Sequence, residues 1–356
     1  MEIRVITLPE EQKKPKFTDE SQLGFGKIFT DRMFIAEWKV GQGWVDARIQ
    51  PYAPFSLDPS CLVLHYAQEI FEGLKAYKWE DGSIALFRPE MNARRFNLSA
   101  ERMCMPEVPE ELFLKGIEEL VKLEADWIPS SAGTSLYIRP TMIAVEPVLG
   151  VKPSDHFYFY VILSPVGAYY AGGFNPVKIM VEDRYVRAVA GGTGEAKTGG
   201  NYASSLKAGL EAKKKGFDQV LWLDGTERRY IEEVGAMNMF FAYGNSVVTA
   251  PLEGSILNGV TRNSVIKLAG DLGFTVEERK IDIDTIMADI LSGKITEAFG
   301  SGTAAVITPV GTLCYKEQNI SIGGGGVGTL TRKLYDTLTG IQTGHLPDKF
   351  GWVKKL

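Results

Sequence analysis

The chain has 356 residues, 45% hydrophobic and 23% charged, and a formal net charge of −5, the balance of an ordinary soluble globular protein large enough for two domains. The acidic balance speaks against nucleic-acid binding, which needs a basic face. Three scattered cysteines (Cys61, Cys104, Cys314) and three histidines (His65, His156, His345) give no metal-ligand spacing and little material for a Ser-His-Asp triad.

From the N-terminus, "MEIRVITLPEEQKKPKF" lacks an apolar signal core, and no apolar run approaches the ~18 residues of a membrane helix, so a cytoplasmic location is expected. The first part reads as α+β. "MFIAEWKV" (33–40), "SIALF" (83–87), "TSLYIRP" (134–140) and "FYFYVIL" (157–163) are rich in β-branched and aromatic residues and read as strands. "EMNARRFNLSAERM" (90–103) and "EELFLKGIEELVKLEADWI" (110–128) return apolar residues every three or four positions and read as helices. Pro89 and Pro109 stand near their starts, where proline is tolerated. "SPVGAYYAGGFNPV" (164–177) concentrates Gly, Pro and small residues and is the best linker candidate. Beyond it, "QVLWL", "MNMFFAY" and "SVVTA" read as strands, and "TRNSVIKLAGDLG" and "TLTRKLYDTLTGIQ" as helices.

Two glycine motifs need testing. "GGTGEAKT", from Gly191, resembles a phosphate-binding P-loop but has Ala196 where the pattern requires glycine for close backbone approach. "GGGGVG" (323–328) contains G-x-G-x-x-G, yet the following "TGHLPDKFGWVKK" shows no second apolar strand to complete a βαβ unit, and a turn before a terminal helix is the simpler reading. Lys197, in a loop of small residues, is open to two readings: a solvated surface lysine, or an amine for covalent chemistry with an aldehyde.

The motifs decide between them by resemblance. "FTDRMFIAEW", "HYAQEIFEGLKAY", "LFRPEMNARRF", "AGTSLYIRP", "SPVGAYY", "GGNY", "IEEVGAMN", "LNGVTR" and "FGSGTAA" follow one another along nearly the whole chain. In that order they resemble the fold-type IV pyridoxal phosphate (PLP) enzymes, and within them the branched-chain amino acid aminotransferases. The resemblance implies an α+β / α/β two-domain fold like that of the D-amino acid aminotransferases. Its parts would be a small N-terminal domain (1–166), an interdomain linker (167–181) and a larger PLP-binding domain (182–356).

The resemblance also implies roles. Lys197 would hold PLP as a Schiff base and move the substrate proton. Glu233 would face the ring nitrogen, while Glu232 beside it reads as a surface turn carboxylate; Tyr202 would hydrogen-bond the ring hydroxyl. Arg88, Val260, Thr261 and Thr303 would hold the phosphate, with Arg187 a further cofactor-pocket candidate. Phe29, Tyr66, Phe71, Tyr137 and Tyr169 would surround the substrate side chain. Thr303 and Ala304 would take the α-carboxylate, and Arg139 the side-chain carboxylate of glutamate. Tyr66, Leu149 and Val151 match positions that close a neighbouring subunit's pocket, which implies a homodimer. The reaction implied is ping-pong transfer of the amino group of L-leucine, L-isoleucine or L-valine to 2-oxoglutarate. Another fold-type IV activity (D-amino acid aminotransferase, aminodeoxychorismate lyase or amine transaminase) is the alternative. Two departures mark the branch: Ala305–Thr308 reads "AVIT" where some members carry Cys-x-x-Cys, and Met237 stands where others place a second glutamate.

Overall fold

The computed structural model describes residues 1–167 and 174–356. The chain divides into two compact units, the first formed by Met1–Ala171, Ala196–Gly199 and Ile341–Leu356, the second by Gly172–Glu195 and Gly200–Gly340.

The first unit is a sheet with two helices on one face. In order across the sheet run Arg4–Val5, Gly43–Pro51, Arg32–Lys39, His156–Val166, Ser135–Ala144, Leu74–Lys78, Ile84–Phe87 and Val353–Lys355, with Glu69–Phe71 also paired to Ser135–Ala144. Neighbours are antiparallel except the first pair. Strand alternation gives the sheet two chemically different faces. Leu136, Ile138 and Met142, with Phe157, Phe159 and Leu163 from the adjacent strand, join Phe96, Phe113, Ile117 and Leu120 of the helices in one apolar core. Phe159 is its centre, its ring 5.4–5.7 Å from those of Phe34, Phe96 and Phe113. A Cβ on Gly116 would come within 3.0 Å of the Phe34 ring, so glycine lets that helix lie close to the sheet. The alternate positions Glu69, Phe71, Lys75, Tyr137, Arg139, Thr141 and Tyr160 share the other face by register.

The helices span Pro89–Arg102 and Glu110–Leu123. The second is shorter than its apolar pattern predicts: it ends at Glu124, followed by a 3-10 turn at Ala125–Trp127. The reason is polar. Glu124 is wholly buried and accepts from Arg32 Nη1 (2.7 Å) and the Asp31 N–H (2.9 Å). The C-terminal segment, in which no strand is expected, forms Val353–Lys355 against Ile84–Phe87 and so closes an edge of this sheet.

In the second unit, Ile231–Val234, Gln219–Leu223, Val177–Glu182, Val306–Tyr315, Ile295–Gly302 and Met237–Tyr243 pair in that order, and the last pairs back with the first. The path is a closed six-stranded barrel, extended by Ser246–Thr249 and Thr275–Glu278. Val177–Glu182, within the segment read as linker and its edge, is a barrel strand. The helices Leu206–Lys214, Val260–Asp271 and Ile283–Leu291 belong to this unit, as does Thr329–Gln342 up to Gly340. The glycine run forms a 3-10 turn at Gly323–Gly325 before the last of them. Among the described residues no helix is long and apolar enough to cross a membrane.

Candidate active site

In the first unit, the segment Ala196–Gly199 is stitched to the sheet and a helix. The Lys197 N–H donates to Ser99 Oγ (2.9 Å), and its carbonyl accepts from the Phe71 N–H (2.9 Å). Thr198 Oγ1 donates to the Glu69 carbonyl (2.7 Å), and the Gly199 N–H donates to the Glu69 carboxylate. Lys197 Nζ then stands 4.9 Å from the centre of the Phe71 ring. Arg139 shares that ring, its guanidinium carbon 4.7 Å from the same centre, and donates to Tyr137 Oη (3.0 Å). Gly73 leaves space for this: a Cβ there would collide with Tyr137 Oη.

Beneath them lies a charged group that motif reading missed. Glu72 is wholly buried and accepts from Arg95 Nε (2.7 Å) and Nη2 (2.9 Å), Asn92 Nδ2 (2.7 Å) and the Gly73 N–H (3.0 Å). Burial pushes its carboxyl upward, but the charge and hydrogen bonds of Arg95, then the Lys197 charge and Asn92, leave it below the usual carboxylate range. Asn92, Arg95 and Ser99 form one stripe of the Pro89–Arg102 helix, and all three are buried. A polar stripe at this spacing reads as a solvated face in sequence, and nothing in the stripe itself marks it otherwise.

Lys75 lies directly opposite Tyr137 on the same face, and burial lowers its ammonium to about 8. Since its folded value lies below the ordinary lysine value, the unfolded chain holds the proton more tightly between about pH 8 and about 10.4, and stability rises with pH across that window. Lys75→Met, which removes this titration, is expected to flatten the rise of stability between about pH 8 and about pH 10, so that its difference from wild type changes across that window. Urea unfolding midpoints at several pH values measure this; a pH-independent difference contradicts it.

Arg88 is the N-cap of the Pro89–Arg102 helix and adopts the left-handed conformation (φ 52°, ψ 44°), with its guanidinium over the Trp352 ring at 5.0 Å. Burial lowers its pKa. A non-glycine residue held there marks a position fixed by its surroundings. Phe29 stacks on Tyr52 at 5.3 Å. Tyr66, in the short helix Leu62–Tyr66, donates to the Leu149 carbonyl, and Tyr66, Leu149 and Val151 are all exposed. Tyr169 lies outside the described residues.

In the second unit, Glu233 is buried on a barrel strand. Arg187 Nη2 lies 2.6 Å from its Oε2, and Asn238 Nδ2 donates to Oε1 (3.1 Å). Arg187 also donates to the Ser255 carbonyl (2.6 Å). Glu232, on the opposite side of the strand, is no surface turn carboxylate: it is buried, accepts from Ser255 Oγ, and burial raises its pKa. The expectation failed because adjacent strand residues face opposite ways and both sides of this strand are covered.

Asn238 also donates to the Leu257 carbonyl (3.0 Å), tying Glu233 to the loop that enters the helix Val260–Asp271. Its N-cap is Gly259, with no side-chain cap, and a Cβ there would strike the Asn238 amide oxygen. Val260 and Thr261 occupy the first turn, where amide groups and the positive end of the helix suit an anion. Thr303 and Ala304 lie in the connection between the strands Ile295–Gly302 and Val306–Tyr315, which closes on Val306 at φ 61°. A β-branched residue there is strained, which fixes the shape of the turn. Gly300 and Gly302 leave room for the Met237 side chain. Tyr202 lies in the helix Gly199–Ala203 and is half-buried.

Comparison with known proteins supplies the deciding observation. The model of the class IV aminotransferases matches residues 69–313. The chain belongs to the class IV aminotransferases. Within this family it stands with the branched-chain-amino-acid aminotransferases. It is 55% identical over 344 residues to branched-chain-amino-acid aminotransferase 2 of Bacillus subtilis, covering 97% of this chain and 94% of the relative. It is 51% identical over 338 residues to the branched-chain-amino-acid aminotransferase of Mycolicibacterium smegmatis, covering 94% and 92%. The crystal structure of the Escherichia coli branched-chain amino acid aminotransferase superposes with a TM-score of 0.74 at 28% identity, covering 90% of this chain and 98% of that one. The T.th. branched-chain amino acid aminotransferase complexed with N-(5'-phosphopyridoxyl)-L-glutamate superposes at 0.71 with 27% identity, covering 90% and 97%. This aminotransferase is thus a transaminase of the fold-type IV class, whose members depend on PLP. The donor set of the chain fits that cofactor: an amine at Lys197, a buried carboxylate at Glu233, and a helix N-terminus without a capping side chain.

Proposed function

We propose that the enzyme reversibly transfers the amino group of L-leucine, L-isoleucine or L-valine to 2-oxoglutarate, giving branched-chain 2-oxo acids and L-glutamate by ping-pong turnover with PLP. The observation that carries this reading is the shared Phe71 ring: the Lys197 amine and the Arg139 guanidinium stand on it at 4.9 and 4.7 Å. An aromatic wall beside the reacting amine suits a branched apolar side chain. An arginine held at its edge by Tyr137 suits the carboxylate of the alternate, acidic substrate.

PLP, when bound, supplies an aldehyde for amine attachment and a ring that accepts electrons. Lys197 Nζ takes the proton from the substrate α-carbon and later returns it. Glu233, its charge compensated by Arg187, serves the ring nitrogen, and Tyr202 the ring hydroxyl. Arg88, Val260, Thr261 and Thr303 serve the phosphate. The amides of Thr303 and Ala304 bind the α-carboxylate, while Phe29, Phe71 and Tyr137 line the side-chain pocket. The exposure of Tyr66, Leu149 and Val151 supports a homodimer in which they close the other subunit's pocket. A cytoplasmic location follows the same reading.

Purified full-length protein with PLP is expected to convert L-leucine and 2-oxoglutarate to 4-methyl-2-oxopentanoate and L-glutamate, with D-alanine inert. Turnover of D-alanine without turnover of L-leucine would assign the site to another fold-type IV activity.

A further inference from the structure

Glu69 is not among the residues that the family resemblance assigns to the site, yet the Lys197 segment is fastened to it twice. Its carbonyl accepts from Thr198 Oγ1 (2.7 Å), and its carboxylate from the Gly199 N–H. Gly199 has no room for a side chain, since a Cβ would strike Glu69 Oε1. Glu69 opens the strand Glu69–Phe71 opposite Ile143 and shares the sheet face of Phe71 and Arg139. Arg139 lies over Phe71, hydrogen-bonds Tyr137, and keeps a buried Nε donor without a hydrogen-bond partner among the described residues.

Glu69 and Arg139 also lie within electrostatic reach. Burial holds the Glu69 carboxyl above the usual carboxylate range, and the Gly199 N–H and then the Arg139 charge offset only part of that rise. Tyr160, on the same face, is raised by burial and feels both charges.

Resting on the aminotransferase reading above, we propose that Glu69 is a positioning and specificity-determining residue. Its carboxylate clamps the segment that carries Lys197, and it is the resident counter-anion of Arg139. With an apolar substrate, a half-buried arginine whose Nε is out of solvent needs a compensating anion, and Glu69 provides it. With an acidic substrate, two carboxylates share one guanidinium, so Glu69 opposes binding of the second. The charge of Glu69 therefore biases the pocket towards leucine over glutamate, while its oxygen holds the lysine segment in register.

Glu69→Gln separates the two roles, because its amide oxygen still accepts from Gly199 but its charge is gone. In the PLP-loaded full-length enzyme, the ratio of kcat/KM for glutamate to that for leucine is expected to rise about threefold to tenfold, chiefly through a lower KM for glutamate. Glu69→Ala should shift the ratio the same way. In the full chain without added PLP, it should also speed hydrogen exchange in the peptide carrying residues 196–203 about tenfold or more. A ratio within twofold of wild type in Glu69→Gln, or one moved towards leucine, overturns the counter-anion role. Unchanged exchange in Glu69→Ala overturns the clamp. If the wild-type enzyme makes no glutamate from leucine, the substrate assignment fails instead, and the exchange experiment still tests the clamp.

Discussion

Lys197→Ala is expected to lower kcat for leucine transamination by at least ~10⁴-fold, because on the proposed mechanism one substitution removes both the attachment amine and the group that moves the α-proton. The loss should be chemical rather than structural. The Lys197 segment is held through its backbone, by the N–H to Ser99 Oγ and the carbonyl from Phe71 N–H, and by the bonds of Thr198 and Gly199 to Glu69. None of these uses the lysine side chain, so the variant should unfold within about 1 kcal/mol of wild type. Added methylamine should restore a small part of the turnover, since a free amine can take over the proton transfer without the advantage of being held in place. Borohydride treatment of the PLP-loaded wild type should add the cofactor's mass to the peptide containing Lys197, and to no peptide of the variant. Turnover within tenfold of wild type would remove Lys197 from the mechanism.

Glu72→Ala is expected to destabilise the fold by about 3–5 kcal/mol, the usual cost of leaving one partner of a buried ion pair unpaired. Arg95 would lose two hydrogen bonds, and Asn92 and the Gly73 N–H their acceptor, in a place without access to solvent. The effect has a definite pH dependence. The folded Glu72 carboxyl is held below its ordinary value, so its contribution is fully present above about pH 4.3, the unfolded value, and is lost as pH falls through the folded one. The urea midpoints of wild type and variant should therefore differ most at neutral pH and converge in acid. The double variant Glu72→Leu/Arg95→Met, which removes both charges and fills the space, should recover much of the loss. A loss below about 1 kcal/mol for Glu72→Ala would mean that the network contributes little.

The two predictions separate what can be read along the chain from what folding brings together. The strands at 33–40, 134–140, 157–163 and 237–243 are legible from their β-branched and aromatic content, and the helix at 329–342 from its helical spacing of apolar residues. Arg139 and Tyr137, alternate residues on one strand, are singled out by the family resemblance of "AGTSLYIRP". The buried polar stripe Asn92, Arg95 and Ser99 is not legible. Its partners, Glu72 and the Lys197 N–H, lie 20 to 98 residues away, and helical spacing alone cannot distinguish a solvated face from one covered by such groups. Glu232 misleads on the same ground, as a strand position whose cover comes from Ser255.

By itself, then, the order of residues determined the family, marked Lys197 as the candidate reacting lysine and located the principal strands and helices. Tertiary structure alone decided that six strands close into a barrel, that the C-terminal strand completes the first sheet, that Glu69 meets the Lys197 segment and that Glu72 meets Asn92 and Arg95. The physical reason is range. Backbone propensity and side-chain periodicity act over a few residues. A buried charge is stable only once topology delivers its partner from a distant part of the chain.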